Sequence, residues 1–459
     1  LTDKLREMGA TIYHDHKEEN IKGADCLVVS SAIPYDNPEV IAARRDGIPI
    51  FHRAEVLGHI MRGRTGIAIS GTHGKTTTSS MVACMLNYNR LDPTIVVGGE
   101  LNGLMSNARL GSSRYMVVEA DESDGTLALY APKILVLTNT DLDHLEHFAD
   151  ETALFDCFRQ AVRQTTHGIA VCRDHARAFE IAQSNPRVPC LTYGFDAAAD
   201  MRAEAVQLTA STAQFDLYFR TVFQATLTLP VTGRHNILNA LAALAAAHLA
   251  GLPLDACISH LSTACSELPG RRFETIAQDE NLTVIADYAH HPIELAAALS
   301  MAKIRNPARL RVLFQPHRYT RTRALGAEFP AALHSADEVI LLPVYAASEK
   351  PCEGGTSADL YAHFRATYPH QKVALARSLD EAWTHVFLTS QPGDLIVLAG
   401  AGDIIQLATR AQRDCATRAA QTAVHDARTQ AFSALPGIAL EEWPVLANWS
   451  TYHVGGRYE

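Results

Sequence analysis

The sequence predicts an α/β protein of several domains, built mainly on parallel sheets. Three observations carry this. The chain has 459 residues, and single cores stop growing beyond about 250–300 residues, so about two to four domains are expected. Strand-like apolar runs alternate with helix-like segments almost throughout, the pattern of repeated βαβ units. Several of the runs end in polar residues, and the carboxyl end of a parallel strand is where such sheets place ligands.

Taken in order, "DCLVVSSAI" (25–33) is a buried strand followed by a loop. "NPEVIAARRDG" (37–47) is a short helix closed by glycine. "RTGIAIS" (64–70) is a strand that runs into a glycine loop, and "RYMVVEAD" and "KILVLTNTD" are two more strands. Between about residues 201 and 231 the period changes to two, as in an antiparallel hairpin. "NILNALAALAAAHLAG" (236–251) is a helix of small apolar residues, packed on most sides. "SELPGRRFE" (266–274), with Pro-Gly and two arginines, is a domain junction. Strand and helix then alternate again to "GDLIVLAGAGD" (393–403), and 410–434 is a polar, alanine-rich helix or linker.

Composition narrows the function classes. The net charge of −10 argues against a nucleic-acid partner. No apolar run reaches the roughly 18 residues of a membrane span, and the first residues given lack a signal-peptide pattern. Nine scattered cysteines without a CxxC point to free thiols in a reducing cytoplasm.

"ISGTHGKTTTSSM" (69–81) carries the chemistry. Gly71 and Gly74 let the backbone turn close to an anion. The amides of Gly71, Thr72, His73, Gly74, Lys75, Thr76 and Thr77 then meet phosphate oxygens at a helix start. Lys75 is suited to the β- and γ-phosphates, and the Thr76 hydroxyl to Mg²⁺. Ile69 stands where the usual loop has glycine, so this loop is a shorter variant. Hard oxygen ligands for that ion stand at two strand ends. "VVEADESD" has Glu119, Asp121, Glu122 and Asp124; "LTNTDLDHLEHF" has Asp141, Asp143, His144, Glu146 and His147. A solvated acidic loop and a zinc site at His144 and His147 are the alternatives. The pairing of both clusters with a phosphate loop favours magnesium, and HExxH is absent.

"GTHGKTTT", "EADESD", "TNTDLDH", "GRHNILNALAA", "ADYAHHP" and "FQPHRYTRT" occur in this order over roughly residues 1–410. Together they resemble the ATP-dependent Mur ligases. The resemblance implies a three-domain Mur ligase architecture: a partial N-terminal Rossmann-like domain for the UDP-substrate (1–62), a central P-loop ATPase domain (63–268) and a C-terminal Rossmann-like domain (269–410). It implies that ATP and Mg²⁺ activate the carboxylate of UDP-N-acetylmuramate for amide formation with L-alanine, in a monomer or homodimer. It implies Lys75 at the phosphates, Thr76 and Glu119 on the first metal and His144 near the second. His235, Asn236 and Asn239 fall at the nucleotide, with helix capping as the alternative for the asparagines. Asp287 falls at the ATP ribose, alone because Ala286 replaces the aspartate that relatives often have there. Tyr288 and His290 face substrate, as do Glu122 and Ser123; His291 is structural. Arg318, Arg321 and Arg323 suit phosphate or carboxylate, with Arg321 the first choice for the reacting group. Ser30 and Ser31 serve the UDP moiety, and Asn107 and Arg109 the substrate cleft.

Both ends depart from relatives. The chain starts at "LTDKLREMG", which matches the region after their GxGGxGM diphosphate loop, so weak UDP-substrate binding is expected. "WPVLANWSTYHVGGRYE" (443–459) resembles the opening of the UDP-N-acetylenolpyruvoylglucosamine reductases, FAD enzymes, so 411–459 is expected to be a linker and the start of a fused reductase. Rival functions are a murein tripeptide ligase on the same sugar, a folylpolyglutamate synthetase, a non-catalytic nucleotide-binding module and a simple kinase. Tripeptide ligases usually have tyrosine where Ser123 stands.

Overall fold

The computed structural model describes residues 2–101, 106–142, 148 and 150–433. The described strands form three sheets, of two, ten and six strands. The first pairs Leu27–Val29 with Ile50–His52 in parallel. The helix Pro38–Arg45 lies between them in sequence, capped by Asn37, whose side chain accepts from the Glu39 amide.

The ten-stranded sheet is centred on Thr65–Ser70, flanked in parallel by Tyr115–Glu119 and Ile134–Leu137. All residues of Thr65–Ser70 are buried. Ile67 and Ile69 face one apolar cluster and Ala68 the other, which is why this strand is apolar throughout rather than alternating. Antiparallel strands close both edges: Ser106–Arg109 on one side and the Ala213–Phe219/Val222–Leu229 hairpin on the other. The helix Lys75–Tyr88 leaves the central strand with residues 77–86 all buried. It packs beside Arg234–Leu249, whose small residues Ala240 to Ala247 are likewise buried.

In the third domain a parallel sheet of Leu282–Asp287, Asp394–Ala399, Arg309–Phe314, Glu338–Leu341 and Val373–Leu375 carries one antiparallel edge, Glu274–Gln278. The junction 266–274 lies between the helix Leu254–Ser266 and that edge strand. The final helix, Leu407–Ser433, runs past the expected domain end at 410. Leu407, Ala411 and Cys415, spaced by one helical turn, are buried in the same core as Trp383. Arg418 Nε donates to Asp279 at 2.8 Å. The start of this helix, to Cys415, thus packs on the core of the third domain. The reductase-like segment 443–459 lies outside the described residues. Among the described residues no helix is long and apolar enough to cross a membrane, and the nine cysteines are unpaired.

Candidate active site

Register places the chemistry at one edge. Ile69 pairs with Glu119 and Ser70 with Leu137, so the glycine loop, the acidic turn and the Thr138–Asp141 segment leave the sheet side by side. Ile69 belongs to the strand and is fully buried. The loop proper is only Gly71–Gly74, which explains the missing upstream glycine. Gly71 and Gly74 have φ of 130° and 84°. A Cβ on Gly71 would lie 2.1 Å from Thr138 Oγ1, and one on Gly74 2.4 Å from Asn239 Oδ1.

Neighbouring side chains fix the loop. The His73 amide donates to Asn139 Oδ1 at 2.8 Å, and the His73 carbonyl accepts from Thr138 Oγ1 at 2.7 Å. Thr72 Oγ1 donates to the Asp141 carbonyl at 3.0 Å. Lys75 Nζ donates to the Gly71 carbonyl at 2.7 Å and to both oxygens of Glu122 at 2.9 and 3.0 Å. Burial alone would lower the Lys75 pKa. Glu122 and Asp121 outweigh it, so the pKa is raised and the ammonium stays charged. Glu122 is 1% exposed and is the counter-ion of Lys75. Ser123 closes the same turn, its amide donating to Asp121 Oδ1 at 3.0 Å.

Thr76 Oγ1 donates to Glu119 Oε1 at 2.9 Å, and the Gly98 amide to Glu119 Oε2 at 2.6 Å. A hydroxyl and a carboxylate side by side at a phosphate loop fit magnesium, which takes one or two protein oxygens and completes its shell with phosphate and water. His144 lies outside the described residues, as do Asp143, Glu146 and His147. Asp141 is held by histidines instead, with His175 Nε2 at 3.0 Å and His73 Nε2 at 3.7 Å. Burial acts to raise its pKa, but those rings lower it overall.

Two cavities adjoin at the loop. The smaller, about 150 Å³, brings together Thr77, His235, Asn236 and Asn239 from the central domain and Arg272, Asp287 and Glu294 from the third. The asparagines form a chain: Asn239 Nδ2 donates to Asn236 Oδ1 at 3.3 Å, and Asn236 Nδ2 to the Thr232 carbonyl at 2.8 Å. Neither is the N-cap, which is Gly233. Burial, with the Arg272 charge adding to it, lowers the His235 pKa to about 4. Desolvation raises that of Asp287 to about 6, although Asp287 accepts from the amides of Phe273 at 2.8 Å and Ala289 at 2.7 Å.

The larger cleft, about 780 Å³, is lined by Lys75, Thr76, Glu119 and Asp121 on one side and by Arg271, Arg272, Tyr288 and His290 on the other. Tyr288 and His290 thus stand across the cleft from the loop. His291 is the N-cap of the helix Pro292–Ile304, its ring accepting from the Ile293 amide. Sequence reasoning missed Arg272, which lines both cavities, and Glu294, whose Oε1 lies 3.1 Å from His73 Nδ1. The signal for Arg272 is the double arginine after Pro-Gly at the domain junction.

Arg321 is buried with Nη1 3.3 Å from His317 Nδ1, and the His317 ring lies 5.5 Å from that of His290. Arg318 is the N-cap of the helix Tyr319–Leu325, and Arg323 is exposed. Ser31 donates to Asp124 and lies 3.0 Å from His52 Nε2, joining the N-terminal domain to the acidic turn; Ser30 precedes it. Arg109 has partners of its own. It pairs with Asp92 at 3.1 Å and with Asn87 at 3.0 Å. Asn87 lies 12 residues along the helix from Lys75, about 18 Å at 1.5 Å per residue. The antiparallel turn sends Arg109 back along Thr94–Leu101, away from the loop edge. Asn107 is exposed on the same edge strand.

Three family models match the chain: "Mur ligase family, catalytic domain" over 1–65, "Mur ligase middle domain" over 69–247 and "Mur ligase, glutamate ligase domain" over 271–402. The UDP-N-acetylmuramate–L-alanine ligase of Pelotomaculum thermopropionicum is 41% identical over 406 residues, 88% of this chain and 87% of that protein. That of Solibacter usitatus is 41% identical over 411 residues, covering 88% and 86%. Among solved structures, the UDP-N-acetylmuramate–alanine ligase of Thermotoga maritima superposes with a TM-score of 0.74 at 27% identity over 89% of both chains. A murein peptide ligase of Psychrobacter arcticus shares the fold, with a TM-score of 0.66 at 23% identity over 90% of both. The chain belongs to the Mur ligase family.

Proposed function

We propose that this chain joins L-alanine to UDP-N-acetylmuramate in an ATP-dependent, amide-forming step of peptidoglycan precursor synthesis. One observation carries the reading. Lys75, Thr76 and Glu119 share a cleft with Arg272, Tyr288 and His290 of another domain, in a chain whose 41% identical relatives are named for that reaction.

A carboxylate is a poor electrophile. Its attack on the γ-phosphorus of ATP forms a C–O–P linkage and expels ADP. The amine of L-alanine then attacks the acyl carbon, phosphate leaves, and the amide remains. The protein's part is positioning and charge neutralisation. Lys75 and Arg272 neutralise phosphate oxygens from opposite walls, while the Gly74-led helix start offers amides. The Thr76 hydroxyl and Glu119 carboxylate would hold Mg²⁺, which when bound neutralises charge on the transferring phosphoryl group. His235, Asn236, Asn239 and Asp287 line the space for the nucleoside. His290 Nδ1 lies 3.0 Å from the Tyr288 carbonyl. With Nδ1 donating there, the imidazole is fixed at the wall of the cleft facing the phosphate loop. The cytoplasm, with its ATP and reduced thiols, is the matching compartment.

The test is phosphate release from ATP and UDP-N-acetylmuramate, adding L-alanine, L-serine, glycine and the murein tripeptide in turn. L-Alanine is expected to stimulate most. Stimulation chiefly by the tripeptide overturns the assignment. A pocket selecting one methyl discriminates by only about 1–3 kcal/mol, so slow turnover with glycine or serine is expected.

A further inference from the structure

His73 belongs to the rigid phosphate loop, its backbone held by Thr138 and Asn139. Its side chain crosses to the third domain, with Nδ1 3.1 Å from Glu294 Oε1 and its ring 4.7 Å from that of His291. The other oxygen, Glu294 Oε2, accepts from the amides of His290 at 3.1 Å and His291 at 3.3 Å, completing the capping box of Pro292–Ile304. That helix start is strapped to the segment bearing Arg272. The Phe273 amide donates to Asp287, the Tyr288 amide donates to the Arg271 carbonyl at 2.9 Å, and Arg271 Nη2 reaches the Gly400 carbonyl. Arg271 and Phe273 hold φ of 62° and 54°, a conformation that persists only when its surroundings over-determine it. Residues 271–273 and 287–294 therefore form one rigid piece, and its hydrogen bond to the loop side chain is Glu294–His73.

Resting on the ligase reading above, we propose that Glu294 is a positioning residue for the reaction: through His73 it docks the third domain on the phosphate loop and so sets where Arg272, Tyr288 and His290 stand over the cleft. Glu294 stays a carboxylate. Burial opposes this, but His290 and His73 hold its pKa well below the usual range. Docking misplaced by about 1 Å is enough to cost on the order of 10²-fold in rate.

Three variants separate docking from helix capping. Glu294→Ala removes both the cap and the dock. His73→Ala removes the dock alone, from the other domain. Glu294→Gln keeps an amide-accepting oxygen and a donor toward His73 Nδ1. In the nucleotide-free full chain, His73→Ala is expected to speed hydrogen exchange at the Ile293–Leu295 amides, with Asp394–Ala399 unchanged. In turnover, His73→Ala and Glu294→Ala are each expected to lower kcat about 10²-fold, the double variant little further, with Glu294→Gln rescuing most of it. Unchanged exchange at 293–295 in His73→Ala, or independent losses that multiply in the double variant, overturns the proposal. The exchange arm needs no nucleotide, so it stands apart from the ligase reading. Wild-type protein without MgATP binding would refute that reading and leave the docking result intact.

Discussion

The Lys75 ammonium lies 2.9 and 3.0 Å from the two carboxylate oxygens of Glu122, a residue 1% exposed. Removing the lysine therefore does more than empty the phosphate loop; it strands a buried carboxylate. Breaking such a pair from one side typically costs about 3–5 kcal/mol. Lys75→Ala is expected to lose turnover and to lower the midpoint of thermal unfolding. The double variant Lys75→Ala/Glu122→Gln is expected to recover the midpoint and not the turnover. A double variant as unstable as Lys75→Ala would show that the pair contributes little.

Glu119 meets Thr76 and the Gly98 amide at the loop edge. Glu119→Gln keeps the shape and removes the charge that a divalent cation needs. The Mg²⁺ concentration for half-maximal phosphate release is expected to rise on the order of tenfold or more. An unchanged magnesium titration would remove Glu119 from the metal site.

His235 has a folded pKa of about 4 because it is desolvated beside Arg272. The unfolded value is about 6.5. Between these values the unfolded chain binds the extra proton, so stability attributable to His235 is present above about pH 6.5 and is lost as pH falls toward 4. His235→Gln is expected to remove this slope. Its stability relative to wild type should improve by about 3 kcal/mol between pH 7 and pH 4, by denaturant unfolding at each pH. A parallel pair of stability–pH curves would contradict it. Asp287, with its folded pKa raised to about 6, works in the opposite sense: its destabilising charge develops as pH rises from about 4 through 6. Only the difference between variant and wild type isolates His235.

Arg109 binds Asp92 and Asn87 at the far end of the loop helix. Arg109→Ala is expected to cost about 1 kcal/mol of stability and to leave kcat/KM for UDP-N-acetylmuramate within about threefold of wild type, as surface changes remote from a site do. A loss beyond tenfold would return Arg109 to the substrate cleft.

What is legible in the sequence is what depends on short range. Gly71, Gly74, Lys75 and Thr76 lie within one loop and helix start, so their geometry follows from residue type and order. The chain of Asn236 and Asn239 follows from helical spacing. Arg272 is not legible in this way. It reaches both cavities only because the Phe273 amide is tied to Asp287, fourteen residues later. The place of Arg109 is not legible either, because a short motif does not say toward which end of a strand an antiparallel turn will carry it. Glu122 and Glu119 differ by three residues and share a chemistry. The turn between them decides that one faces Lys75 and the other Thr76. The core face of Leu407–Ser433 is present in the sequence as Leu407, Ala411 and Cys415, but alanine and polar neighbours dilute it.

The central claim is that the cleft at Lys75 passes a phosphoryl group from ATP to a carboxylate before the amide forms. The most direct measurement supplies UDP-N-acetylmuramate with both carboxylate oxygens labelled with ¹⁸O, and follows the released phosphate by mass spectrometry in the presence of L-alanine. One ¹⁸O per phosphate is predicted, because the bridging oxygen leaves with phosphorus when the amine displaces it. Phosphate free of label, with amide still formed, would contradict the account.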